Sequence, residues 1–188
     1  MKILGIHGAW SSSTSFNYLK YKTKSKIWSC IDYNHLWDSY DDILNKSIGA
    51  LREPYVAIGH SLGGLIALHM SQDTNCKGII TLASPLAGLD LNMLQKYFIR
   101  SELINVITKN SRQLNEVHNL SYDHLPVLHL VANQGYNIFM SEKNDGVLPI
   151  SSQTGWSCGH MAEIAVNHYE ILQSNATVNA IKDFIKTI

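Results

Sequence analysis

Short apolar runs alternate along the chain with longer stretches of helical periodicity. The runs are nearly continuous rather than alternating in polarity, as is typical of parallel strands that are buried on both faces. They span residues 3–6, 27–31, 55–58, 78–83 and 127–132. This alternation of strands and helices predicts a three-layer α/β fold, with a mainly parallel sheet between two layers of helices.

Apolar residues recur at helical spacing over residues 40–51, 62–70 and 178–185. The segment 86–122 is also helix-prone, but it lies between two strands that need only a short connection. It is therefore the candidate for a small helical lid. A length of 188 residues suits one hydrophobic core, so we expect residues 1–188 to form a single domain.

The sequence Gly59-His60-Ser61-Leu62-Gly63 joins the third strand to the following helix. Glycines on both sides of a serine suit a turn so tight that larger side chains would collide with the strand and the helix. Such a turn strains the central residue and exposes its hydroxyl above the carboxyl edge of the sheet, where ligands bind in parallel α/β proteins. Ser61 is thus the candidate nucleophile; a phosphate-binding loop or a plain tight turn are the alternatives.

A serine hydroxyl needs a base, which a third group orients, and the expected chain order is serine, acid, histidine. Asp145 is the best candidate acid because it follows the strand at 127–132 on a turn-prone Asn-Asp-Gly sequence. Asp123 precedes that strand, which disfavours it. Glu142 is the reserve candidate.

Among nine histidines, His168 best fits the base, since it lies about ten residues ahead of the last helix and can fold back over the sheet. His160 is its competitor. His60 adjoins the nucleophile, and adjacent residues on such a turn point in different directions, so we expect it to pack near the turn rather than to act as base.

Two backbone N–H groups are expected to stabilise the oxyanion. Leu62 follows the nucleophile, and Ala9, or its neighbour Trp10, lies in the loop after the first strand. Trp10, Leu86 and Val147 are the apolar residues that we expect to bind substrate near the mouth of the site.

Composition narrows the class of partner. Fifteen basic residues balance fifteen acidic ones, which argues against nucleic acid as the main partner. The three cysteines are widely spaced and resemble reduced thiols rather than disulfides or a zinc site. No apolar run approaches membrane-spanning length and the N-terminus enters a strand pattern at once, so we expect a cytoplasmic protein without stable membrane insertion.

Together these residues resemble the α/β-hydrolase superfamily, and within it the lipase-like serine esterases. The resemblance runs through nearly the whole chain in order, in the sequences IHGAW, GHSLGG, TLASPLAG, NDGVLP and NHYEIL. It implies a sheet of about six strands and no cofactor. It also implies a catalytic triad of Ser61, Asp145 and His168, with Ala9 and Leu62 as oxyanion donors.

The expected function is hydrolysis of small carboxylic esters or thioesters through an acyl-enzyme on Ser61. A non-hydrolytic protein of the same fold, either a ligand-binding protein or a lyase, is the alternative. The sequence does not determine the acyl chain length, the leaving group or the oligomeric state.

Overall fold

Six parallel strands form one sheet in the order β2-β1-β3-β4-β5-β6. The structure is a computed structural model that describes residues 1–24, 28–90 and 102–188. The predicted α/β fold with a parallel sheet of about six strands is confirmed. The strands are β1 (Lys2–Ile6), β2 (Trp28–Ile31), β3 (Tyr55–His60), β4 (Cys76–Leu82), β5 (Val127–Ala132) and β6 (His160–Ile164).

Helices cover both faces of the sheet. The described helices are α1 (Asn17–Thr23), α2 (Tyr40–Ser47), α3 (Leu62–His69), α4 (Glu102–Val106), α5 (Arg112–Asn119), α6 (Ile150–Thr154) and α7 (Asn175–Lys186). Leu4 of β1 packs in a core cluster with α2 and α3, whereas its neighbour Ile3 packs in a second cluster with α1 and α7. Both faces of the central strands are therefore buried, which explains their continuous apolar sequence.

The sixth strand, β6, is not among the five runs that the sequence predicted. It pairs only with β5 in the described sheet, and four of its five residues are exposed. An edge strand in this position carries a polar sequence, HMAEI, and so lacks the apolar run by which the other strands are recognised.

The candidate lid segment is described only in part. Residues 91–101, which belong to it, lie outside the described residues. Its later part forms α4 and α5, and Leu114 and Val117 of α5 are buried in the core cluster that contains α3. In the parts of the chain that the structure describes, no helix has the length and apolar character of a membrane span.

Candidate active site

Ser61 lies at a sharp turn between β3 and α3, which is called the elbow below. Its backbone has φ 53° and ψ −124°, a conformation that residues other than glycine rarely adopt. The backbone N–H of Ser61 donates to the carbonyl of Leu82, at the end of the neighbouring strand. Strain of this kind costs about 1–3 kcal/mol and is found mainly at functional sites.

Close backbone approach explains the two glycines that flank Ser61. A Cβ at Gly59 would overlap the carbonyl oxygen of Gly63, and a Cβ at Gly63 would overlap the carbonyl oxygen of Ile6 in β1. The helix therefore starts directly against the strands, as the glycine pattern predicts.

We expect Gly59→Ala to lower the free energy of unfolding by more than about 3 kcal/mol, because backbone atoms must move to admit the methyl group. Gly49→Ala is the matched control: Gly49 has φ +73°, but no atom lies within 4 Å of the position that a Cβ would take there, so it should lose only about 1–2 kcal/mol. Urea unfolding measures both losses. Equal losses in the two variants would contradict the close approach at the elbow.

Asp145 and His168 form a buried pair on the loops that follow β5 and β6. The Nδ1–H of His168 donates to Oδ2 of Asp145 at 2.6 Å, and the backbone N–H of His168 donates to the carbonyl of Asp145 at 2.9 Å. The exposed fractions of Asp145 and His168 are 0% and 2%. Because Nδ1 carries the proton, Nε2 is the ring nitrogen that can accept one.

The carboxylate of Asp145 accepts further hydrogen bonds that fix its orientation. Its Oδ1 accepts from the backbone N–H groups of Val147 at 2.8 Å and Leu148 at 2.6 Å. Its Oδ2 also accepts from Nε2 of Gln153 at 3.0 Å, and the Gln153 side chain bonds both the N–H and the carbonyl of Ala132 in β5. Gln153 thus ties the carboxylate to the sheet, a role that no sequence motif indicated.

His60 is buried beside the elbow and contacts the loop of His168. Its Nε2–H donates to the backbone carbonyl of His168 at 2.9 Å, and the two rings lie 4.8 Å apart. Burial first, and the neighbouring His168 second, lower the pKa of His60 to about 3. His60 is therefore neutral and supports the loop that carries His168, in agreement with its expected packing role.

One narrow cavity brings together most of the predicted site residues. Ser61, Leu62, His168, Ala9, Trp10 and Val147 all line it, and Asp145 lies behind His168. Leu86, which we expected to bind substrate, lies instead in the hydrophobic core and is 1% exposed. Its N–H donates to the carbonyl of Ser84, and this tight turn directs the side chain into the core. The apolar wall is formed by Leu103, Ile104, Ile107 and Leu148, with Tyr169 at the side.

Two backbone segments at the cavity suit the binding of an oxyanion. Leu62 is the first residue of α3, where N–H groups have no partner within the helix and the helix dipole is positive. Ala9 lines the same cavity and precedes Trp10, whose φ of 53° is a second strained conformation in its wall. The strain at Trp10 was not predictable from its residue type.

The alternative acids and base lie elsewhere. Asp123 precedes β5 and His160 is the first residue of β6. Both therefore lie at the amino edge of the parallel strands, opposite the elbow. Both are exposed, as is Glu142, whose carboxylate accepts from the Ser151 hydroxyl. Within the described ranges, no group of three or more His, Cys, Asp or Glu side chains could hold a metal ion.

Two buried histidines should make the fold sensitive to acid. Burial lowers the pKa of His129, in β5, to about 4, and the pKa of His60 is about 3. Below the ordinary value of 6.5, the unfolded chain binds protons that the folded chain does not. Each histidine therefore removes about 1.4 kcal/mol of stability per pH unit as the pH falls from 6.5 to about 4.

Urea unfolding across this pH window measures the loss. His129→Gln should reduce the slope of stability against pH by about 1.4 kcal/mol per pH unit. The native protein, unfolded in urea over the same pH window, provides the reference slope. An unchanged slope in His129→Gln would contradict the buried neutral state of this histidine.

Comparison with known proteins adds evidence on the fold. No protein-family model matches the chain, and no curated protein sequence matches it. Solved structures match over nearly its whole length. A lipase of Bacillus licheniformis matches with a TM-score of 0.73 and 15% identity, over 97% of this chain and 90% of that one. The monoacylglycerol lipase of Paleococcus ferrophilus matches with a TM-score of 0.67 and 15% identity, over 98% of this chain and 93% of that one. A pyrethroid hydrolase of Sphingobium faniae matches with a TM-score of 0.63 and 15% identity, over 99% of this chain and 97% of that one.

Identities this low carry information on the architecture alone. The six-stranded parallel sheet and the strained serine between β3 and α3 agree with that likeness. By these structural matches, the chain has the α/β-hydrolase fold.

Proposed function

We propose that the protein is a serine hydrolase that cleaves small carboxylic esters or thioesters. One observation carries the proposal: a strained serine and a histidine held by a buried aspartate line the same cavity. The similar structures named above are a lipase, a monoacylglycerol lipase and a pyrethroid hydrolase, and these names support the same class of activity.

In the first half of the reaction, the Oγ of Ser61 attacks the carbonyl carbon while Nε2 of His168 takes the hydroxyl proton. The negative charge that develops on the carbonyl oxygen is stabilised by the N–H groups of Leu62 and Ala9. Asp145 keeps the proton on Nδ1 and stabilises the imidazolium that forms. His168 then gives its proton to the leaving alcohol or thiol, and the acyl group remains on Ser61.

In the second half, water replaces the leaving group beside His168. The same histidine takes a proton from the water, whose oxygen attacks the acyl carbon. Collapse of the second tetrahedral intermediate releases the acid and returns the proton to Ser61. Every proton step uses this chain's own side chains.

A fluorophosphonate probe followed by intact mass measurement tests the proposal. We expect one adduct on the native protein and none on the Ser61→Ala variant, together with hydrolysis of members of an ester and thioester panel. Absence of an adduct would contradict the nucleophile and favour a ligand-binding protein of the same fold. An adduct without hydrolysis of any ester or thioester would favour a lyase.

A further inference from the structure

A wide groove adjoins the narrow cavity on the side of His168. Its volume is about 820 Å³, and it lies between the loop after β5, at residues 133–147, and the loop after β6, at residues 167–170. Val147, His168 and Tyr169 belong to the walls of both the groove and the cavity. A molecule bound at His168 can therefore extend from one into the other.

The groove combines aromatic and hydrogen-bonding side chains. Tyr136 and Tyr169 come from the two opposite loops and are 84% and 59% exposed. Gln134, Lys143 and Glu170 are also exposed in its wall and present amide, ammonium and carboxylate groups. Flat aromatic faces with donors and acceptors around them suit a ring that bears many hydroxyl groups, since its C–H faces pack and its hydroxyls hydrogen-bond.

The cavity that contains Ser61 is much smaller than the groove. Its volume is about 30 Å³, and Leu103, Ile104 and Ile107 form its apolar wall. A water-sized group needs about 10–15 Å³ of such volume, so the cavity has room for roughly two groups of this size. A carbonyl oxygen and one methyl group meet that limit.

Proton transfer determines which part of an ester lies in the cavity and which part lies in the groove. The leaving oxygen must accept the proton from Nε2 of His168, so the alcohol part lies against His168 and continues towards the groove. The carbonyl carbon must lie against Ser61 and the N–H groups of Ala9 and Leu62, which line the cavity and not the groove, so the acyl part lies in the cavity. The two spaces thus differ in size in the same sense as the two parts of a short-chain ester of a large alcohol.

We propose that the substrates are acetyl esters of saccharides, with the acetyl group in the cavity and the sugar ring in the groove. This inference rests on the proposed serine hydrolase function. In the reaction, the acetyl carbon forms a bond to Oγ of Ser61 as its bond to the sugar oxygen breaks. That oxygen takes the proton from His168, so the free sugar leaves with a restored hydroxyl, and water then releases acetate.

The acyl half of the proposal is tested with p-nitrophenyl esters, in which only the chain length differs. We expect kcat/KM for the acetate to exceed that for the octanoate by at least about tenfold, because one unfavourable methylene already costs about 1–3 kcal/mol. A preference for the octanoate would overturn the assignment of the acetyl group.

The alcohol half is tested with two acetates of equal ring size. Glucose acetylated at its primary hydroxyl is compared with cyclohexylmethyl acetate, which has the ring but no hydroxyls. Two well-placed hydrogen bonds from the sugar hydroxyls to the groove suffice for the preference of about tenfold or more in kcat/KM that we expect for the sugar ester. Equal values, or a preference for the cyclohexyl ester, would overturn the assignment of the sugar.

Replacement of the exposed aromatic side chain locates the effect in the groove. Tyr136→Ala should raise KM for the acetylated glucose by about fivefold to tenfold and should change kcat much less, because Tyr136 contacts the ring and not the reacting atoms. Tyr21→Ala is the matched control, because Tyr21 is similarly exposed, at 77%, but lies on α1 and outside the groove. Equal KM values in the two variants would overturn the placement of the sugar ring in the groove.

Labelling by the fluorophosphonate probe distinguishes failure of the saccharide acetate inference from failure of the proposed hydrolase function. A labelled protein that prefers the octanoate or the cyclohexyl ester retains the hydrolase function and overturns the saccharide acetate inference. A protein that takes up no label contradicts the hydrolase function, and the inference fails with it.

Discussion

Replacing Ser61 by alanine is expected to lower kcat for ester hydrolysis by about a million-fold. The loss is this large because no other group can take the place of the hydroxyl at the elbow, and the remaining N–H groups only stabilise attack by water. Steady-state kinetics with p-nitrophenyl acetate measures the loss against the uncatalysed rate. Ser12→Ala is the matched control, since Ser12 is exposed on the same loop as Ala9 and Trp10, and it should retain full activity.

Stability measurements separate this loss from damage to the fold. Alanine experiences the same backbone strain as serine at φ 53°, so Ser61→Ala should unfold within about 1 kcal/mol of the native protein. Glycine adopts this conformation freely, and Ser61→Gly should therefore be about 1 kcal/mol more stable than Ser61→Ala in urea unfolding. A folded Ser61→Ala variant with near-native activity would contradict the assignment of the nucleophile.

The elbow was predictable from sequence because its requirements are local. A serine between glycines, after an apolar strand and before a helix, meets steric conditions that depend on a few neighbouring residues. The structure has the strained φ at Ser61 and the close contacts at Gly59 and Gly63. Chain order then selected Asp145 and His168 from many candidates, and the structure joins these two by a hydrogen bond of 2.6 Å.

The supporting residues could not be predicted because their roles depend on distant contacts. Gln153 binds Asp145, 8 positions away, and Ala132, 21 positions away, and His60 contacts a carbonyl 108 positions away. Nothing in the sequence around Gln153 predicts that its side chain is buried. Nothing in the sequence around His60 predicts that its ring binds the backbone carbonyl of His168. Leu86 shows the converse: an apolar residue near a predicted site was assigned to substrate binding, but local turn geometry places it in the core.

Replacing Asp145 by asparagine is expected to lower kcat by about ten-thousand-fold. The amide nitrogen of asparagine is a donor, so it cannot accept the Nδ1–H of His168 and favours the tautomer with its proton on Nε2. In that tautomer Nε2 carries a hydrogen and has no lone pair with which to take the proton of Ser61. The same amide also faces Nε2 of Gln153, another donor, so we expect a loss of about 1–3 kcal/mol in stability.

The pH dependence and two other carboxylates make this prediction specific to Asp145. Activity of Asp145→Asn should rise at high pH, where hydroxide replaces the missing base, whereas a merely unfolded variant would lose activity at every pH. Asp123→Asn and Glu142→Gln remove the other candidate acids, both of which are exposed, and should retain near-native kcat. If either control lost activity while Asp145→Asn kept it, the acid would be misassigned, and the hydrogen bond between Asp145 and His168 would then serve only to fix the loop.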